Sequence, residues 1–323
     1  WQLGGGFVNA QSWGAKGDGK VITDAAITTG TAALSSASAA FTSGDVGKAV
    51  YVNGAAGAGL SLRTTISAFV SSTQVTLAAN ASASVSGATA VYGTDDTTAI
   101  INAIDAVAAQ GTVLFPRSSG FYFVRGTAGA NIIAVTKSVM LLGIHPTVKI
   151  KFGPEQSASN TVLFNMATGL SVTVENITIE GPEANANVLM RCFGWNAVAL
   201  TTSTLTLRKV ISSKAQEVVK LESSATLDSA GVIIEDCDLQ NVNDGATGYV
   251  VLQNGTVAAG QFGGYWKIRR TKLHSNAKAY CLYRTFSTSL SLQDCDVSGG
   301  TGGSIEYLIY VEGGVAAAPT FNE

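Results

Sequence analysis

Hydrophobic and polar positions change period along the chain, and the changes mark its elements. Between Asp95 and Gly111 apolar residues recur at Ala99, Ile100, Ala103, Ile104, Val107 and Ala108, the i, i+3, i+4, i+7 spacing of a helix with one buried stripe. Asp95 or Asp96 is its predicted N-cap and Gly111 its predicted C′ residue. Beyond the helix the period falls to two, and short strands are predicted at 112–115, stopped by Pro116, then at 121–124, 132–135, 139–142, 148–152 and 162–164. From Thr29 to Tyr92 the composition shifts to Ala, Ser, Thr, Gly and Val, with alternation at 48–52, 64–69 and 74–77. That predicts a small β insert whose joins lie at Thr29-Gly30 and Gly93-Thr94.

From about Val172 an imperfect repeat is visible. An inward aliphatic is followed three and five places later by apolar or small residues: Val174, Ile177, Ile179; Leu207, Val210, Ser212; Ile234, Cys237, Leu239; Ile268, Thr271, Leu273; Leu292, Cys295, Val297. The spacing of 24 to 34 residues suits the coils of a solenoid, and a second apolar strand follows each unit. The outward positions give an independent check. One column reads Glu175, Arg208, Glu235, Arg269, Gln293, the next Asn176, Lys209, Asp236, Arg270, Asp294, and a third Thr178, Ile211, Asp238, Lys272, Asp296. Where charged, neighbouring members alternate in sign. Equivalent residues of stacked parallel coils lie roughly 4.8 Å apart, so this alternation predicts ladders of opposite charge between in-register coils.

Composition narrows the class. Of 323 residues only 13% are charged, 36 are Gly and 5 are Pro, which fits a folded β-rich chain and neither disorder nor collagen. The net charge of −2, with no basic run, argues against a nucleic-acid partner, and no apolar stretch has the length of a membrane span. Cys192, Cys237, Cys281 and Cys295 lack metal-ligand spacing and, with His145 and His274 the only histidines, no metal site or cofactor is expected; the four are read as buried thiols. Starting at Trp1 and ending in an uncapped 316–323 segment, the sequence is expected to be part of a longer polypeptide.

The segment Ser12-Trp13-Gly14-Ala15-Lys16-Gly17-Asp18-Gly19, then Thr94-Asp95-Asp96-Thr97-Thr98-Ala99-Ile100, Gly111-Thr112-Val113-Leu114-Phe115-Pro116 and Phe121-Tyr122-Phe123-Val124 resembles the opening signature of the pectate-lyase-like superfamily. In that family the signature is nearly continuous; here the insert splits it, and the split is similar to insertions in phage tail and spike members. Thr23-Asp24-Ala25-Ala26-Ile27 echoes the helix start before the insert. The resemblance implies an all-β chain, a right-handed parallel β-helix with an N-terminal capping helix and a small inserted β domain. Residues 1–28 would begin the cap, 29–93 form the insert, and 94–323 form the capping helix and β-helix. It also implies that Asp18, Asp95 and Asp96 build the cap rather than react.

The resemblance further implies a virion tail spike or fibre component, a homotrimer among other tail proteins, that recognises host cell-surface polysaccharide; the alternatives are a secreted polysaccharide lyase or glycoside hydrolase, and a structural virion subunit with no glycan site. Whether it depolymerises the glycan is left open. Hydrolysis needs two suitably spaced carboxyl groups and elimination a base, and no local motif announces either. Glu217, Glu222 and Asp244, on or just after the second strands and their turns, are the candidate catalytic acids, with solvated strand ends and an Asx-type turn as the plainer readings. Trp195, Trp266, Tyr283 and Tyr310 are the candidate glycan-binding rings, while Tyr249, Tyr280 and Tyr307 could equally form an inward ladder. The two Asp-Cys-Asp triplets, at 236–238 and 294–296, are expected to form ion pairs with Arg270 and Lys272 rather than bind metal.

Overall fold

The computed structural model describes residues 6–125, 132–153, 161–182, 190–201, 203–215, 217–228, 231–241, 249–255, 265–275, 280–285, 289–299 and 309–312. The described chain is mostly β and builds three long parallel sheets. The first contains Thr112–Phe115, Val139–Gly143, Ser171–Glu175, Thr204–Arg208, Gly231–Glu235, Tyr265–Arg269 and Ser289–Gln293, with Phe7–Asn9 at its edge. The second runs from Tyr122–Val124 through Lys149–Phe152, Thr178–Glu180, Ile211–Ala215, Asp238–Asn241 and Lys272–Ser275 to Asp296–Gly299. The third runs from Ile133–Val135 through Thr161–Met166, Met190–Thr201, Glu217–Asp228, Tyr249–Gly255 and Tyr280–Thr285 to Ile309–Glu312. The chain visits the sheets in turn, so hydrogen-bonded neighbours are three strands apart in sequence, a winding compatible with a parallel β-helix.

Register follows the inward aliphatics. Val113, Leu141, Val174, Leu207, Ile234 and Ile268 form one fully buried column, and Phe164 stacks on Phe193 at 5.8 Å in the third sheet. Each such side chain contributes roughly 1.5–3 kcal/mol on burial, and a slip by one residue would turn the whole column outward. Of the predicted charge ladders, the first two columns carry ion pairs, Asp236 with Arg270 in the second. Glu235 pairs with Arg208 (Nε to Oε2, 3.1 Å) on one side and Arg269 (Nε to Oε1, 3.1 Å) on the other.

Each coil has three strands where the repeat suggested at least two. The apparent strand of five inward-counted places is two strands around a sharp corner, because Asn176, Lys209, Asp236, Arg270 and Asp294 all take left-handed φ values of 47–57°. Val174 ends one sheet, Ile177 fills the corner and Ile179 opens the next. Asn and Asp tolerate this conformation; Lys209 and Arg270 hold it at a cost. Polar residues occupy this column because the corner points outward.

The helix spans Thr97–Ala106 and buries Ala99, Ile100, Ala103 and Ile104. It stops before the expected Gly111 cap, since Val107 is already extended and Gln110, at φ 66°, is the left-handed residue of the turn. The antiparallel insert is a closed six-stranded barrel, in the order Lys20–Ile27, Ala33–Ser35, Gln74–Leu77, Leu62–Ser71, Ala49–Val52, Val85–Gly93. It therefore begins at Lys20 rather than Thr29, because the strand Lys20–Ile27 is needed to close it against Val85–Gly93. Residues 23–27 are part of that strand, so their likeness to a helix start is overridden by pairing. The barrel has its own core around Ile22, Leu34, Val50, Ile66, Val75 and Tyr92. A second cluster of Ala49, Tyr51 and Val91 with Phe121 and Phe123 seats it on the first coil.

The signature residues meet in space although the barrel separates them in sequence. Asp18 accepts from the Thr94 backbone N–H at 2.8 Å and from its hydroxyl at 3.1 Å, and pairs with Lys48 of the barrel at 2.7 Å. Asp95 Oδ1 accepts from the Thr97 N–H and so does the capping. Asp96 sits at the N-cap position without a capping bond; its buried carboxylate instead takes backbone N–H groups of Lys16, Gly17 and Phe123 at 2.7, 3.1 and 3.2 Å. Among the described residues no helix is long and apolar enough to cross a membrane.

Candidate functional site

The corner between the first and second sheets leaves a groove of about 460 Å3 on the outside of the stack. Its walls come from successive coils: Pro146, then Asn176 and Thr178, Lys209 and Ile211, Asp236 and Asp238, Arg270 and Lys272. Four steps between five coils at roughly 4.8 Å give a length of about 19 Å. One wall is the row of left-handed corner residues, the other the outward column of the second sheet. Ile211 lies mid-groove and is 49% exposed, an apolar floor between Thr178 and Asp238.

Among the described residues one ion pair lies in the groove. Arg270 meets Asp236 side-on, Nε to Oδ1 at 2.7 Å and the terminal nitrogen to Oδ2 at 3.0 Å. That guanidinium holds the Asp236 carboxyl below its ordinary value, so it stays ionised and is unsuited to donate a proton to a leaving group. The expected ion-pairing role of the 236–238 triplet is what the geometry shows for Asp236.

On the same outward face of the second sheet, bordering the groove, three lysines converge on one carboxylate. Glu180 Oε1 meets Lys151 at 2.8 Å and Lys214 at 3.1 Å, while Oε2 meets Lys149 at 2.8 Å. Burial is the largest single influence on Glu180 and would raise its pKa; Lys151, Lys149 and Lys214 outweigh it and hold the carboxyl at about 2. Lys151 is fully buried, and it also donates to the Gly181 carbonyl at 3.2 Å. Lys149 stands in the column of Thr178 and Ile211, so the cluster lies beside the groove's own wall.

The residues singled out in the sequence fall elsewhere. Glu217 opens a strand of the third sheet, is 2% exposed and is paired with Arg191 of the preceding coil, so it is a buried ion pair rather than an acid open to substrate. Trp195 and Trp266 are 2% and 1% exposed within the core, which corrects their expected role: neither ring offers a face to a sugar, because both stand at inward positions of their strands. The backbones of Glu222, Tyr283 and Tyr310 belong to the third sheet, but their side chains lie outside the described residues, as does Asp244 altogether. Cys192 and Cys237 are buried free thiols as expected; Cys295 is only half-buried, and Cys281 lies outside the described side chains. Among the described residues no cluster of three metal-ligating side chains occurs.

Sequence reasoning missed the groove and the lysine cluster. The signal for the first was Ile211, an aliphatic in an otherwise polar outward column. For the second it was the Lys149-Ile150-Lys151 alternation, whose two outward cations face Glu180 about one coil later.

No protein-family model matches the chain, and no curated protein sequence does. Among solved structures, the crystal structure of the tailspike protein gp49 from Pseudomonas phage LKA1 is similar at 15% identity with a TM-score of 0.22. That match covers 92% of this chain and 64% of the other, so the chain spans less than two thirds of that protein's length. At such a score the likeness carries no argument, and the function proposed for this chain stands on its own residues.

Proposed function

We propose that the chain is a virion tail spike or fibre component, a right-handed parallel β-helix whose lateral groove recognises host cell-surface polysaccharide, assembled as a homotrimer with other tail proteins. The observation that carries this reading is the shape of the groove: open, about 19 Å long by the coil spacing, and crossing five coils, it suits a length of polymer better than a compact small molecule. Its lining sets an amide (Asn176), a hydroxyl (Thr178), cations and anions around the exposed Ile211, the mixture that hydroxyl-rich chains with apolar ring faces require. The resemblance of residues 12–19 and 94–100 to the superfamily's opening signature supports the same reading, and these segments hydrogen-bond to each other through Asp96 and Asp18.

Recognition is the role this reading gives the groove, whose Asp236 is engaged by Arg270; depolymerisation is left open. The test is binding of polysaccharides purified from candidate host surfaces, by calorimetry, with Ile211→Asp compared against the parent chain. Saturable binding abolished by Ile211→Asp is expected; binding unaffected by it would remove the groove from the reading. A monomer by native mass measurement, with release of reducing ends or ultraviolet-absorbing unsaturated products, would point instead to a secreted depolymerase.

A further inference from the structure

Charge is distributed unevenly along the groove. Pro146, Asn176 and Thr178 of its first two coils are uncharged, and the next three coils bring Lys209, then Asp236 with Asp238, then Arg270 with Lys272. Among the described residues three cations against two carboxylates leave the lining one charge positive, on a chain whose net charge is −2. Arg270 and Asp236 bind each other, and Asp238 accepts from the Gln240 amide at 3.1 Å. Among the described residues the ammonium groups of Lys209 and Lys272 make neither an ion pair nor a hydrogen bond, and the charge of Lys209 reaches Asp236 only through space. Lys272 stands in register between Asp238 and Asp296, yet it pairs with neither. Lys209 moreover holds φ 51°, where an L residue with a long side chain is strained, and no contact of its ammonium offsets that strain. Both lysines are exposed, so the fold gains no contact from either charge.

We propose that Lys209 and Lys272 bind the oxyanion substituents of an acidic polysaccharide lying in this groove, one whose charged and uncharged sugars alternate. Lys209 belongs to the corner row on one wall, and Lys272 to the outward column on the other, two coils farther along. Two coil spacings come to roughly 9.6 Å, about the length of two sugar rings in an extended chain, so a polymer with one charge per disaccharide repeats its anions at the axial spacing of the two lysines. The coil between them carries Asp236 and Asp238, where the uncharged sugar of the repeat falls and its hydroxyls can donate to Asp238. Ile211, in the coil of Lys209, gives an apolar contact to a ring face. The net positive lining favours an anion arriving from solvent, and both ammonium groups retain their N–H donors for it. Carboxylate and sulfate share the chemistry required, and Lys, a compact point charge, does not demand the planar bidentate geometry that would select between them.

This inference rests on the groove's proposed role, and the experiment separates the two. Calorimetry at low salt compares hexasaccharides of hyaluronan, with a carboxylate on alternate sugars, of keratan sulfate, with a sulfate on alternate sugars, of galacturonan, with a carboxylate on every sugar, and of carboxyl-reduced hyaluronan, with no charge. The proteins are the parent chain, Lys209→Asn/Lys272→Gln, and Ile211→Asn, which removes the apolar floor without adding charge. The expected result is binding of one or both alternating probes above the other two, weakened about tenfold in the double lysine variant, the order expected for two exposed charges, and weakened further by raised salt. Preference for hyaluronan identifies carboxylate, and for keratan sulfate, sulfate. Equal binding of the alternating probes by the parent and the double lysine variant overturns the inference, as does galacturonan or the reduced probe binding as tightly as the better of them. No binding of either alternating probe overturns it too. Binding of a host-surface polysaccharide that Ile211→Asn abolishes and the double lysine variant leaves intact would keep the groove's role and remove the two charges from it. Lys209→Asn relieves strain, so an unchanged or raised urea midpoint shows that lost affinity is not lost fold.

Discussion

Reversing the charge of Glu235 tests the register of the coils directly. Glu235 lies between Arg208 and Arg269 with bonds to both, and its carboxyl is held below its ordinary value first by the Arg269 hydrogen bond and also by Arg208. At the coil spacing of roughly 4.8 Å, Coulomb's law with an effective dielectric of about 40–80 gives about 1–2 kcal/mol per neighbour. Arg208 and Arg269 are 28% and 46% exposed, so solvent takes each pair down to about 0.5–1 kcal/mol. Glu235→Gln should then cost about 1–2 kcal/mol, and Glu235→Lys, which turns two attractions into two repulsions, about 2–4 kcal/mol. Urea unfolding followed by fluorescence is a suitable assay, because the buried Trp266 lies in the next coil beside Val232 and reports its opening. Adding Arg269→Glu to Glu235→Lys should recover about 1 kcal/mol by restoring one opposite pair, and 1 M salt should narrow all the differences. Equal destabilisation by Glu235→Lys and Glu235→Gln at low salt would show that charge alternation does nothing to align the coils.

Other outcomes follow from the same geometry. Glu180, held at about 2 against an ordinary 4.5, contributes stability that is complete above pH 4.5 and lost as pH falls toward 2; at most about 3 kcal/mol is at stake, and Glu180→Gln should flatten that part of an acid-unfolding profile. Asp96 has the opposite sign: burial pushes it up to about 6, so its contribution grows more favourable as pH drops from 6 to its ordinary 3.8, and Asp96→Asn should remove that trend. Lys209→Asn should raise stability by about 0.5–1 kcal/mol in urea, since Asn holds φ near 51° at lower cost than Lys. Trp266→Phe should cost roughly 1–2 kcal/mol from lost volume alone, because the indole N–H has no hydrogen-bond partner among the described residues, and should leave glycan affinity unchanged.

The stacked parallel winding was legible because its two signals are one-dimensional. Aliphatics at 174, 207, 234 and 268 must face inward, and charges at 208, 235 and 269 must find opposite neighbours, so spacing alone places them in adjacent coils. The corners were less legible, since Lys209 and Arg270 are poor advertisements for left-handed backbone and only the shared column reveals it. The barrel's extent was misjudged because strand Lys20–Ile27 is joined by pairing with Val85–Gly93, a contact between positions about sixty to seventy residues apart that composition does not encode. Candidate site residues fared worst. An aromatic such as Trp266 has the same letter whether it faces a sugar or the core, and the face is decided by strand parity and by the neighbours Val232 and Leu290. The lysine cluster escaped notice because its four members come from three strands, one of them bulged at Lys214, and a bulge leaves no mark in spacing.

The closed barrel enters and leaves the cap at one point. Gly19 and Gly93 come so near that a Cβ on Gly93 would stand 2.7 Å from the Gly19 Cα, and Asp18 already bonds to Thr94. A unit whose ends nearly coincide is a cassette: it can be exchanged, enlarged or excised without altering the path of the winding chain. Beyond the Lys48–Asp18 ion pair and the hydrogen bond from Arg63 to the Arg125 carbonyl, it is tied to the remainder by the aromatic seat of Phe121 and Phe123 beneath Tyr51, so excision calls for polar replacements at those two positions, and any replacement module must present an apolar footing of the same size.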